Sequence, residues 1–168
     1  MGPGGIADVA PWRDWCSAAE GSLRFLRRHV GWDLWMVTQV VDDRQVVLLA
    51  EPPEAVPPGS ALPWADSFCR QMIEGGAPRL ATVTAAVPAY ASRAAGPLQG
   101  IAAYVGIPLV TADLRLFGTL CGLAYRARPR SAARELAVVE ESARLLSTLM
   151  AAGMAPPRLP SSPPQAVS

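Results

Sequence analysis

Lysine is absent, and all fifteen basic residues of this 168-residue chain are arginine. No Schiff-base amine and no phosphate-loop lysine is therefore available. Histidine is nearly absent too. With His29 the only imidazole, a metal site or a cysteine–histidine pair has little to draw on. Cysteine is sparse: Cys16, Cys69 and Cys121 lie far apart, with no CxxC pair, which speaks against a disulfide framework and a zinc site. An excess of either charge is missing as well. The net charge of +1 gives no footing for a nucleic-acid or membrane-surface role.

No apolar run reaches the length of a membrane-spanning helix. The opening "MGPGGIADVAPWRDW" has no basic stretch followed by an apolar one, so a secretory signal is not expected. Ile6 stands where a myristoylation motif has Ser or Thr. The expected location is cytoplasmic. What is present is a hydrophobic half, 51% of residues, in a length that suits one domain with a substantial core.

"PWRDWCSAAEGSLRFLRRHVGW" reads as a helix, with Trp12, Cys16, Ala19, Leu23, Leu26 and Val30 in steps of four and three. Pro11 suits its first turn and Gly31 its end. "DLWMVTQVV" and "RQVVLLAE" form a hairpin around Asp42-Asp43. "PPEAVPPGSALP" breaks regular structure, and "WADSFCRQMIEGG" is a short helix. A short strand near Leu80 and a loop with one helical turn follow. "IAAYVGIPLV" and "LFGTLCGLAYRA" are two further strands, in which Pro108 belongs at an edge, an end or a bulge. "SAARELAVVEESARLLSTLMAA" closes the ordered part, with Ser131 as the expected N-cap and a seam of Ala132, Leu136, Val139, Ala143, Leu146 and Met150. This order predicts an α+β domain: an antiparallel sheet with both terminal helices on one face. Residues 1–10 are expected to be flexible, 11–153 to form the domain, and 154–168 to be a disordered Pro/Ser-rich tail.

"WADSFCRQMIEGGAPRLATVTAAVPAY" and "YVGIPLVTADLRLFGTLCGLA" resemble the GAF domain, a small sensory module related to PAS domains. The likeness runs from about Trp12 to Ala152, and the wording is similar to GAF domains that precede actinobacterial diguanylate cyclase or kinase modules. The resemblance implies a non-catalytic sensory or regulatory domain, a pocket between the sheet and the loop with its short helix, and dimerisation through the terminal helices. No output module is expected within these residues, so a separate cyclase, kinase or phosphatase would take that part. Several family features are missing. Asp113-Leu114 replaces a common Asp-Gly turn, and the lysine-containing cyclic-nucleotide signature cannot be present. The Cys-His bilin attachment is absent, and the cysteines lack the close pairing of GAF-type methionine sulfoxide reductases. No haem, bilin or metal is expected, and the ligand is left unidentified.

Within that frame, Trp64, Asp66, Cys69, Arg79, Tyr90, Arg93 and Tyr104 are the candidate ligand residues, apolar walls with arginines and tyrosines suited to an anionic or aromatic molecule. The plain alternative is that the arginines face solvent and the tyrosines cap the core. Trp15, Phe25, Val138, Leu145 and Leu149 carry apolar surface beyond the two seams and are the candidate homodimer interface. Gly118-Thr119-Leu120-Cys121-Gly122 reads as a central strand with a packed thiol, and Cys69, beside Arg70, is the more promising cysteine. His29, near a helix C-terminus, suits the dipole better than a haem. Two other readings stay open: a pure interaction or dimerisation module without ligand, and a thiol redox sensor using Cys69 or Cys121.

Overall fold

The computed structural model describes residues 5–159. Helix α1 (Trp15–His29) starts where the Asp14 carboxylate accepts from the Ser17 amide at 2.7 Å. That bond satisfies one of the amides a helix leaves unpaired and places negative charge at the positive end of its dipole. The helix thus begins later than Pro11, and its buried face is re-phased. Trp15, Ala18, Ala19, Ser22, Leu23 and Leu26 enter the core. Trp12, expected in the seam, is exposed and lays its indole over Gly21, where a Cβ would collide with the ring.

Strands β1 (Leu34–Val41) and β2 (Arg44–Glu51) form the expected hairpin. Asp42 and Asp43 both take left-handed φ values, 51° and 60°. That pair makes a type I′ turn, whose twist matches the flanking strands and which aspartate tolerates better than bulkier residues. A short β3 (Ala61–Pro63), helix α2 (Phe68–Ile73), β4 (Leu80–Ala81) and the one-turn α3 (Pro88–Ala91) follow. Strands β5 (Ala103–Val110) and β6 (Leu116–Ala124) and helix α4 (Leu136–Ala151) complete the domain. Ser131 does not cap α4. It lies in a 3-10 stretch, Arg130–Glu135, that leads into the helix.

The six strands make one sheet in the order β3-β2-β1-β6-β5-β4, each pair antiparallel. Side chains alternate across it. Trp35, Val37, Val105, Ile107, Leu109 and Leu120 meet α1 and α4 on one face, whereas Leu34, Tyr104, Cys121 and Leu123 meet α2 and α3 on the other. Extra residues at Leu48 and Phe117 shift the register and preserve this division along bent strands. Gly122 leaves space for the Trp35 indole, whose ring atoms would lie 2.6 Å from a Cβ at that position.

The Trp15 Nε1–H donates to the Leu146 carbonyl at 3.0 Å and ties α1 to α4. Ser147 on α4 accepts the Val110 amide at 3.0 Å, on the side of β5 that the two-residue β4 leaves open. Pro108 lies on that same side, as its missing N–H requires. Leu114, in the β5–β6 turn, has φ 62° where a glycine would be unstrained. Past α4, Met154 and Leu159 still pack against the helical side of the core. The rest of the expected tail, 160–168, lies outside the described residues.

Candidate functional site

The face of the sheet beneath α2 and α3 gathers most of the candidate ligand residues. Ser67 caps α2, its Oγ accepting the Arg70 amide at 3.1 Å, and the following turn carries Phe68, Cys69 and Met72 onto the sheet. Trp64 enters from the 3-10 turn before it, and Tyr90 comes from α3. Phe68, Tyr90 and Tyr104 form a triangle with ring centroids 5.0–5.6 Å apart. These tilted and edge-on contacts are the ones aromatic quadrupoles favour. Tyr90 donates to the Pro78 carbonyl, and burial pushes its hydroxyl pKa up. The interior that the resemblance assigns to a ligand is therefore filled by the chain's own rings.

An open cleft of about 380 Å³ remains at the rim, between Leu62–Asp66 and Ser92–Leu98. Asp66 and Arg93 line it from its two sides. The Arg93 Nε is buried with no protein partner. Arg79 belongs elsewhere. Its guanidinium pairs with Glu140 of α4 at 2.8 Å, so it does not line the cleft.

Beneath the aromatic triangle lies a polar chain that the sequence reading did not single out. Gln45 on β2 donates from Nε2 to Thr38 Oγ1 at 3.1 Å and to Thr119 Oγ1 at 3.2 Å. The two threonine hydroxyls are 2.7 Å apart, and Thr119 Oγ1 stands 3.4 Å from the Cys69 sulfur. Tyr104 donates to the same sulfur at 3.0 Å. Gly106 makes that reach possible, because a Cβ there would overlap the Tyr104 hydroxyl. Thr38, Gln45 and Thr119 are each buried, and all three are polar residues on one face of neighbouring strands. Period-two alternation would have placed them together once the strand order was known.

Cys121, two residues beyond Thr119 on the same face of β6, pairs across the ladder with Gly106, over which the Tyr104 hydroxyl that bonds Cys69 lies, so the two cysteines border each other in one buried cluster. Two thiols 52 positions apart in sequence are thus neighbours, although neither a motif nor a spacing announces them. Burial pushes the Cys69 thiol up, but the polar groups gathered around it, Cys121, Thr119, Tyr104 and Gln45, outweigh it and bring the thiol below its ordinary range. Cys121 moves the opposite way. The neighbouring Cys69 sulfur and burial hold it well above that range. Tyr104 is raised well above its usual value by burial and by the neighbouring sulfurs, and it stays a donor.

The helical side differs from expectation in two of five residues. Trp15 is fully buried and Leu149 packs against the core, which removes Trp15 from any surface. Phe25, Val138 and Leu145 are 47%, 37% and 42% exposed. With Trp12 they line a groove of about 620 Å³ between α1 and α4. His29 sits at the end of α1 against Phe25, on the helical side of the sheet, whereas Cys69 and Cys121 lie on the other. Among the described residues, no three His, Cys, Asp or Glu side chains converge on a metal position, and no helix is long and apolar enough to cross a membrane.

No family model and no curated protein matches the chain. Solved structures do. A free methionine-R-sulfoxide reductase from Neisseria meningitidis, determined with its substrate, superposes with a TM-score of 0.64 over 86% of this chain and 82% of that one, at 20% identity. The GAF domain of an Acinetobacter phosphoenolpyruvate-protein phosphotransferase gives 0.62 over 88% of each chain at 10% identity. The second GAF domain of DevS from Mycobacterium smegmatis gives 0.55 over 80% of this chain and 94% of that one, at 17% identity. The fold is therefore GAF-like, α+β with an open antiparallel sheet.

Proposed function

From a GAF-like fold as premise, we propose that the chain is a non-catalytic sensory or regulatory domain that works as a homodimer. The observation that carries this is the groove between α1 and α4, where Trp12, Phe25, Val138 and Leu145 present large apolar groups side by side. A contiguous apolar patch on the helical layer favours a partner. A second copy, paired about a two-fold axis into a four-helix layer, would cover the same patch on both chains.

A small anionic ligand would enter at the Asp66–Arg93 cleft and pair with the Arg93 guanidinium. Its grip on the turn before α2 would reach β5 through Tyr104 and α4 through the Val110–Ser147 bond, and so bias the paired helices. We place the domain in the cytoplasm, with a separate cyclase, kinase or phosphatase as its output.

Light scattering on wild type, Leu145→Asp and Phe25→Asp tests the pairing. A wild-type dimer that both variants reduce to a monomer is the expected result, and a monomeric wild type or unaffected variants overturns it. Thermal shift with nucleotides, cyclic nucleotides, aromatic acids and amino acids tests the cleft, with Arg93→Ala expected to abolish any response. The filled interior favours the second reading, an interaction module without ligand, and a flat panel would select it.

A further inference from the structure

We propose that Cys69 and Cys121 form a buried dithiol that a hydroperoxide oxidises to an intradomain disulfide, fastening helix α2 to strand β6. This goes beyond the sensory reading and needs neither a dimer nor a ligand in the cleft.

The hydrogen-bond geometry around Cys69 is that of a site for a sulfur anion. Gln45 has only N–H donors at Nε2, so both threonine oxygens it touches act as acceptors toward it. Thr38 and Thr119 also bond each other, and only one of them donates in that bond. If Thr38 donates to Thr119, the Thr119 proton is left for the Cys69 sulfur, and every group in the chain is satisfied. The chain then runs Gln45, Thr38, Thr119, Cys69, with each proton pointing toward sulfur. Tyr104 adds a second hydroxyl donor to the same atom at 3.0 Å. An ordinary buried thiol is a small hydrophobe that packs without such donors. Several buried polar side chains converging on one sulfur stabilise the thiolate, the form that reacts.

The second sulfur makes the oxidised product stable. The Cys69 thiolate attacks the terminal oxygen of a hydroperoxide: an S–O bond forms, the O–O bond breaks, and the departing alkoxide takes a proton and leaves as alcohol. Cys69 is then a sulfenic acid. The Cys121 sulfur attacks it, the S–S bond forms, the S–O bond breaks, and the hydroxyl leaves as water with the Cys121 proton. Two thiols have lost two electrons and two protons, and one hydroperoxide has become alcohol and water. A low-molecular-weight thiol returns the pair by exchange. Both sulfurs are buried at 3% and 2% exposure, so the oxidant enters by local opening. Helix α2, which carries Cys69, is the short cover through which that opening would occur. It is six residues long, and Gly75 and Gly76 follow its C-cap, with Gly76 at φ 71°.

Wild-type protein treated with hydrogen peroxide under native conditions, then blocked with an alkylating reagent and digested without reductant, gives the direct answer. A Cys69–Cys121 cross-linked peptide that dithiothreitol abolishes is expected. Free Cys69 and Cys121 beside an oxidised Cys16, or cross-links of either to Cys16, overturns the proposal. Tyr104→Phe keeps the ring and removes one donor, and it is expected to slow disulfide formation roughly tenfold, as a one-unit rise in thiol pKa would. An unchanged rate overturns the assignment of the donors. Hydrogen exchange in wild type separates the fastening from the chemistry: oxidation should slow amide exchange in 68–73, and equal exchange in both redox states overturns the tether to β6.

Discussion

Replacing Thr119 by valine removes one hydroxyl from the centre of the buried polar chain and leaves the volume nearly unchanged, so no cavity term enters. The hydroxyl lies 2.7 Å from Thr38, 3.2 Å from Gln45 and 3.4 Å from Cys69. Gln45 keeps its bond to Thr38 at 3.1 Å. With Thr38 as the donor to Thr119, its hydroxyl, in a residue only 1% exposed, loses its acceptor. A buried donor left unmade costs about 1–3 kcal/mol, and the lost bonds to Gln45 and sulfur net about 0.5–1 kcal/mol more. The expected loss is about 2–3 kcal/mol. With a urea slope of about 2 kcal/mol/M, the midpoint falls by about 1–1.5 M. Fluorescence of the buried Trp15, Trp32 and Trp35 reports the transition. Thr38→Val combined with Thr119→Val should depart from the sum of the two single losses, because the Thr38 donor is then gone while the buried Gln45 amide loses both of its acceptors. A single-variant shift under about 0.3 M, or simple additivity, would show that the chain is not a connected network.

Three other outcomes follow from the fold. Gly122→Ala drives a Cβ into the Trp35 ring and should destabilise by about 1–3 kcal/mol in the same titration. Leu114→Gly relieves a left-handed leucine that is 85% exposed, and should raise stability by up to about 1 kcal/mol, since little packing is lost. Asp14 has its carboxyl held below the usual range by bonds from the Ser17 amide and hydroxyl. Its folded pKa is thus lower than its unfolded one, so its stabilisation is complete above the ordinary aspartate value and vanishes as pH falls through the lowered one. Wild type should therefore lose stability more steeply than Asp14→Asn as urea midpoints are followed downward from about pH 5.

The hairpins, the two terminal helices and the strand character of the Cys121 segment were legible in the sequence because period-two and period-3.6 patterns are local. The phase of α1 was not. Trp12 and Trp15 both fit a four-three seam with the same downstream residues, and the choice rests on Asp14 as cap. The same shift carries Trp15 out of the candidate interface and Trp12 into it. At the site, the aromatic partners were readable as a composition, but their collapse onto one another was not, because it depends on the distance between α2 and the sheet. Arg79 was misplaced since its partner, Glu140, is distant in sequence. The dithiol escaped for the same reason. Its two halves meet only when a short helix lands on a strand chosen by the sheet order.

The bond between Ser147 and the Val110 amide bears on how this chain behaves in a crowd of its own copies. Strand β5 is flanked by only two residues of β4, which would ordinarily leave a row of amides inviting another strand to add on. Along that margin the Gly106 amide is taken by the Arg79 carbonyl, Pro108 offers none, and Val110 is taken by Ser147. None of these three positions leaves a free amide for a neighbouring chain. Loosening α4 would reopen the margin at one amide. Helix α4, through one serine, thus also keeps the sheet margin closed at that amide.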